Sequence, residues 1–93
     1  MIYDLEKKIV LVCSGDTDLG MACISAFLKE KATVYTSTKS KKSFKELAHK
    51  YLKDNFSKKK LTVINADIAT ESGRKKCLSK CSDPDILINH YPG

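Results

Sequence analysis

The apolar positions of this chain change period several times along its length. Lys8-Ile-Val-Leu-Val-Cys13 is a continuous run rich in β-branched residues, as expected of a strand buried on both faces of a parallel sheet. Polar Ser14-Gly-Asp-Thr-Asp18 follows and reads as a turn in which Asp16, Thr17 or Asp18 caps a helix. Leu19, Ala22, Cys23, Ala26 and Phe27 then recur at i, i+3, i+4, i+7 and i+8, which makes one apolar helical stripe. Ala32 to Ser37 reads as a second strand. Beyond it Phe44, Leu47, Ala48, Tyr51 and Leu52 repeat the same stripe, with Ser43 and Glu46 at capping-box spacing. Leu61-Thr-Val-Ile-Asn65 forms a third strand, and Thr70 caps a third helix that reaches about Cys81. Gly73 and the sparse apolar set Cys77, Leu78 and Cys81 make that helix the weakest of the three. Pro84 precedes a fourth strand, Asp85-Ile-Leu-Ile-Asn89.

The predicted order is βαβαβαβ, an α/β chain with no internal repeat and no low-complexity linker. Strands and helices alternating at this spacing imply a parallel sheet with right-handed crossovers, because each helix must return the chain to the same end of the sheet. The simplest strand order is 3-2-1-4. It puts the first two helices on one face and the third on the other, and it creates a switch point above the carboxyl ends of strands 1 and 4. A ligand is expected at that crevice, beside the turn after strand 1.

Length and composition narrow the picture. Ninety-three residues make one domain at most. The longest apolar run, Ile9 to Cys13, is far short of the ~20 residues of a membrane helix. The start Met1-Ile-Tyr-Asp-Leu-Glu-Lys-Lys8 does not read as a signal peptide, so a cytoplasmic location is expected. The four cysteines include no C-x-x-C and read as reduced, mostly buried thiols. Cys77 and Cys81 share a helical face, but only His90 stands as a further ligand, so the core reading outweighs a zinc site. The net charge of +6 is concentrated in Lys39 to Lys60. Only Arg74 among the 17 basic residues is arginine, and the aromatic residues are not interleaved with the lysines as stacking platforms would require. The segment therefore reads as a solvated helix face rather than a nucleic-acid surface.

Candidate chemistry gathers at Cys13-Ser-Gly-Asp-Thr-Asp-Leu-Gly20, between the first strand and the first helix. Dinucleotide sites place a pyrophosphate on the N–H groups of such a helix end and use glycine where a side chain would collide. Residues 5 to 93 resemble the amino-terminal part of short-chain dehydrogenase/reductases, of the kind that includes 3-oxoacyl-carrier-protein reductases. The family's T-G-x-x-x-G-x-G falls on Cys13 to Gly20: Gly20 is kept in register, Ser14 and Asp18 replace the first two glycines, and Gly15 is adjacent. A carboxylate at Asp18 brings like-charge repulsion toward a phosphate. Asp85-Ile-Leu-Ile-Asn89 resembles the family's D-I-L-V-N, followed here by His90-Tyr91-Pro92 in place of N-A-G.

The resemblance implies a partial Rossmann fold, a truncated NAD(P)-binding domain over residues 1–93. It implies cofactor contacts from Ser14, Gly15, Thr17, Asp18, Leu19, Gly20, Lys39, Asp67, Ile68 and Asn89. Lys39, two residues past the second strand, matches the basic residue that meets the adenosine 2′-phosphate, and no acid ends that strand. NADP is therefore expected over NAD. Asp67 matches the family's adenine-contacting acid. The family's catalytic serine, tyrosine and lysine belong beyond the fourth strand, so no catalytic residue is assigned and the chain alone is expected to be inactive. The alternative is a non-catalytic Rossmann-like interaction module that docks on a partner or binds polyanions through its lysine-rich helix. Strand 4 would be an open edge and one sheet face thinly covered, which suits a second copy or a full-length relative as partner.

Overall fold

The computed structural model describes residues 5–14, 16–52 and 60–89. After a 3-10 turn at Leu5–Lys7, the chain runs β1 (Ile9–Cys13), α1 (Asp18–Lys29), β2 (Thr33–Thr38), α2 (Lys41–Tyr51), β3 (Leu61–Asn65), α3 (Glu71–Lys80) and β4 (Ile86–Asn89). The four strands form one parallel sheet ordered β3-β2-β1-β4, the α/β architecture expected from the alternation of periods. Register follows the pleat: Val10 lies beside Val34 and Ile86, and Leu11 beside Tyr35 and Leu87. Asp85 fixes where β4 meets β1, its backbone N–H donating to Ile9 O and its carboxylate accepting from Ile9 N, both at 2.8 Å.

Alternation sorts the side chains onto two faces. Val10, Val12 and Val34 face α1 and α2, and with Met21, Ile24, Leu28, Ala32, Phe44 and Leu52 they form the main core. Ile64, Ala66 and Cys77 form a smaller cluster under α3, flanked by Tyr35 and Ile68. The third helix thus crosses to the opposite face from the first two.

Two helical expectations change. In α1 the buried positions are Gly20, Met21, Ile24 and Leu28. Of the predicted stripe, Cys23 and Phe27 pack only partly against the core, while Ala22 and Ala26 are exposed and Leu19 is 54% exposed. The stripe counted apolar positions equally, whereas burial free energy follows apolar area. Met21, Ile24 and Leu28 bring more area to the sheet than two alanines, and the helix turns to bury them. In α2 the stripe holds, with Phe44 and Leu52 buried and Leu47, Ala48 and Tyr51 half-buried. Its cap is Ser40, whose hydroxyl accepts from Ser43 N, so the Ser43–Glu46 capping box does not form. Thr38 Oγ1 accepts from Ser40 N and donates to Ser40 O, starting the helix three residues early.

Helix α3 begins as expected, with Thr70 accepting from Gly73 N. Gly73 weakens the helix by propensity but is required by packing. A Cβ there would lie 1.9 Å from Asp67 O, inside any allowed contact. Cys77 and Cys81 are buried, whereas Leu78 is 56% exposed.

Candidate functional site

A cleft of about 190 Å³ opens at the carboxyl end of the sheet, lined among others by Ser14, Thr17, Lys39, Asp67 and Ile68. Five of the predicted site residues therefore meet in one place, although they come from three different strand-to-helix turns. Parallel topology is the reason: every strand delivers its following turn to the same end of the sheet.

The turn after β1 is held by short polar contacts. Ser14 has φ 61°, the left-handed region that glycine enters freely and other residues enter at a cost of about 1–2 kcal/mol. Serine thus keeps a glycine-like backbone at this position of the motif. Its N–H donates to Ser37 Oγ at 3.0 Å, and its carbonyl accepts from Thr17 Oγ1 at 3.0 Å. Thr17 is the residue that caps α1, its hydroxyl accepting from Gly20 N at 3.0 Å. Gly20 is buried in the first turn, with Asp18 and Leu19 exposed beside it. The Asp18 carboxylate does not cap the helix. It accepts a hydrogen bond from Tyr51 Oη at 3.0 Å, which turns its charge toward the end of α2. That bond, together with burial and the carboxylate's charge, raises the Tyr51 phenol above its ordinary value of 10.0 and keeps it a donor.

Asp67 is half-buried on the facing wall. Its carboxylate accepts from Ala69 N at 2.9 Å, and its carbonyl accepts from Thr70 N and Thr70 Oγ1. It is therefore both a cleft residue and the turn before α3. Lys39 is exposed at the rim. Asn89 pairs in register with Cys13 at the end of β1. Gly15, His90, Tyr91 and Pro92 lie outside the described residues, as do Lys53, Lys58 and Lys59 of the basic segment.

Ser37 and Thr38 line the cleft and went unassigned in the sequence reading. Each is 1% exposed, and Thr36 is fully buried. Three consecutive hydroxyl residues ending the strand were the available signal, because buried hydroxyls need partners. Thr36 finds Val12 O, Ser37 finds Ser14 N, and Thr38 finds the backbone of Ser40.

In the dehydrogenases that the sequence resembles, the catalytic tyrosine and lysine are spaced Y-x-x-x-K, and that spacing occurs in this chain at Tyr3–Lys7 and Tyr35–Lys39. Tyr3 lies outside the described residues. Tyr35 and Lys39 are separated along β2 and its following turn, where four extended residues span roughly 13 Å. The spacing brings the two side chains together only on a helix, so this pair does not form the acid-base unit.

On the α3 face a second, apolar groove of about 610 Å³ runs between Leu11, Cys13, Cys77, Leu78 and Leu87, with Arg74 at its edge. Burial pushes the thiols of Cys13, Cys77 and Cys81 above their ordinary 9.0. All four cysteines are free. Among the described residues, no group of three or more His, Cys, Asp or Glu gathers as metal ligands, and no helix is long and apolar enough to cross a membrane.

No protein-family model and no curated protein matches the sequence. Solved structures match closely in shape. The apo form of glucose dehydrogenase from Caenorhabditis elegans superposes with a TM-score of 0.81 at 22% identity, covering 96% of this chain and 39% of that one. A short-chain dehydrogenase/reductase of unknown function from the same organism, solved with cofactor, gives 0.75 at 24% identity, covering 91% and 33%. The N-domain of a bacterial malonyl-CoA reductase, solved with NADP, gives 0.73 at 25% identity, covering 99% and 18%. The chain has the fold of part of these short-chain dehydrogenase/reductases and spans less than two-fifths of their length.

Proposed function

We propose that this chain is the cofactor-binding half of a short-chain dehydrogenase/reductase-type oxidoreductase, with NADP(H) as the preferred nucleotide. The observation that carries the reading is the cleft where Ser14, Thr17, Lys39 and Asp67 meet beside the amino end of α1. The cradle fits a dinucleotide because Ser14 holds the left-handed backbone that glycine normally supplies and because the Asp18 carboxylate is engaged by Tyr51. The first turn of α1 would hold the pyrophosphate on the N–H groups of Asp18 and Leu19, with Gly20 close beside them and its own N–H taken by the Thr17 cap. Lys39 would meet a 2′-phosphate, Asp67 and Ile68 the adenine, and Asn89 would support the sheet end, while Gly15, expected at the phosphates, lies outside the described residues.

When bound, the nicotinamide supplies or accepts the hydride. The chain's own residues bind and orient the cofactor. Among the described residues no serine, tyrosine and lysine come together beside them, and we assign no catalytic step to these residues. A cytoplasmic setting agrees with four free thiols.

Titration with NADPH and NADH tests the reading. Saturable binding in the micromolar to millimolar range, tighter for NADPH, is expected, and Lys39→Ala should narrow the preference. No saturation by either nucleotide would refute it. The apolar groove favours a second reading, a docking module whose α3 face meets another copy of the chain. That reading predicts a concentration-dependent mass in sedimentation and survives only if one is found.

A further inference from the structure

Asp18 is the first residue of α1, at the helix end where the cofactor reading puts a pyrophosphate. A carboxylate there repels a phosphate, and turned inward it would compete for the free N–H groups of the first turn. In the structure it is turned outward. Tyr51 Oη donates to Asp18 Oδ1 at 3.0 Å, from 33 residues along the chain. Tyr51 ends α2, and its ring packs with Leu47 and Ala48 against the main core, with Lys50 Nζ 5.4 Å from the ring centre. Packing therefore aims the hydroxyl, and the hydroxyl aims the carboxylate.

We propose that Tyr51 is a positioning residue for phosphate binding: it holds the Asp18 carboxylate toward α2 and leaves the amino end of α1 open to an anion. This rests on the cofactor reading above, and it accounts for how an acidic residue is tolerated where the family motif has glycine. Tyr51 touches no nucleotide in this scheme and acts only through Asp18.

The test compares the wild-type protein with Tyr51→Phe, Asp18→Asn and the double variant, each titrated with NADPH by nucleotide fluorescence. Tyr51→Phe keeps the packed ring and removes only the hydroxyl, and Asp18→Asn provides a second, independent probe should the first unfold. Freed to face the phosphates, Asp18 should weaken NADPH binding in Tyr51→Phe by about three- to ten-fold. That loss should shrink as added salt shortens the screening length to a few ångströms, on the order of 3 Å at 1 M, a response that a packing defect would not give. In the Asp18→Asn background, removing the hydroxyl should change nothing. Equal affinity of wild type and Tyr51→Phe overturns the inference, as does an equal loss with and without the Asp18 charge. Binding by Asp18→Asn alone overturns the role of Tyr51 while sustaining the cofactor reading. No binding by any of the four proteins overturns the cofactor reading and the inference together.

Discussion

On one face of the sheet, Val10, Val12 and Val34 are fully buried beneath two helices that contribute Met21, Ile24, Leu28, Phe44 and Leu52. On the other, α3 brings Cys77 down onto Ile64 and Ala66 but leaves a groove of about 610 Å³, with Leu78 and Leu87 each 56% exposed. The same strands build both faces, so the difference lies in what the helices bring. Helices α1 and α2 have large apolar side chains at core spacing, whereas α3, Glu71-Ser-Gly-Arg-Lys-Lys-Cys-Leu-Ser-Lys80, has two apolar residues in ten. The larger buried cluster lies on the first face. On the second, the turn before α3 carries Asp67 into the cleft wall.

The most damaging substitution should therefore lie on the first face. Ile24→Ala removes a fully buried side chain and is expected to cost about 2–5 kcal/mol, read as a shift in the urea midpoint. Leu78→Ala, on the open face, should cost less than about 1 kcal/mol. Equal losses from the two would abolish the contrast and mean that α3 packs as tightly as α1.

One position on the second face is expected to break the pattern. A Cβ at Gly73 meets the carbonyl of Asp67 at 1.9 Å and its carbon at 2.5 Å, and that carbonyl is held by two hydrogen bonds from Thr70. Gly73→Ala gains helix propensity of up to about 1 kcal/mol but must push the Asp67 turn aside, with overpacking of about 1–3 kcal/mol against it. The net effect should be a loss of stability together with weaker nucleotide binding. A stabilised Gly73→Ala protein would mean that the Asp67 turn is free to move and does not brace the cleft.

The unequal faces also explain what the sequence made legible. Strand identity, order and the crossover of α3 follow from period and spacing, signals that survive whatever packs against them. The phase of α1 does not, because a stripe of equal symbols hides the greater area of Met21, Ile24 and Leu28. The cap of α2 was misplaced because Ser40 and Ser43 carry the same chemistry, and only the side chain of Thr38 distinguishes them. At the candidate site, Ser14, Thr17, Lys39, Asp67 and Ile68 were legible through the resemblance to dehydrogenases and do line one cleft. Ser37 and Thr38 were missed because hydroxyl residues in a strand are ambiguous until their partners are known. The hydrogen bond from Tyr51 to Asp18 joins residues with no periodic relation, so no pattern announces it.

The thiols give a smaller contrast, readable by pH. Cys13, Cys77 and Cys81 have values raised above 9.0 chiefly by burial, so the folded state retains its protons where the unfolded state gives them up. Their contribution is whole below the ordinary thiol value of 9.0 and is lost as pH rises through the raised values. Urea midpoints should fall as pH climbs above 9.0, and Cys77→Val should flatten that slope. An unchanged slope would mean that Cys77 is in effect solvated and that the α3 face is more open than the static structure.

The smallest expected effect carries the most information about the open face. Leu87 sits on the edge strand β4, 56% exposed, and lines the groove with Leu11 and Cys13. If water covers that face, Leu87→Lys moves little apolar area and places a charge where natural sheets often carry one to discourage pairing. Stability should then change by no more than about 0.5 kcal/mol, with one melting temperature at all protein concentrations. If a second copy covers the face, the wild type should melt higher as concentration rises, and Leu87→Lys should remove that dependence while leaving the dilute protein unaffected. The substitution thus separates a face that is bare from one that is completed by association, because only association makes the value of Leu87 depend on how much protein is present.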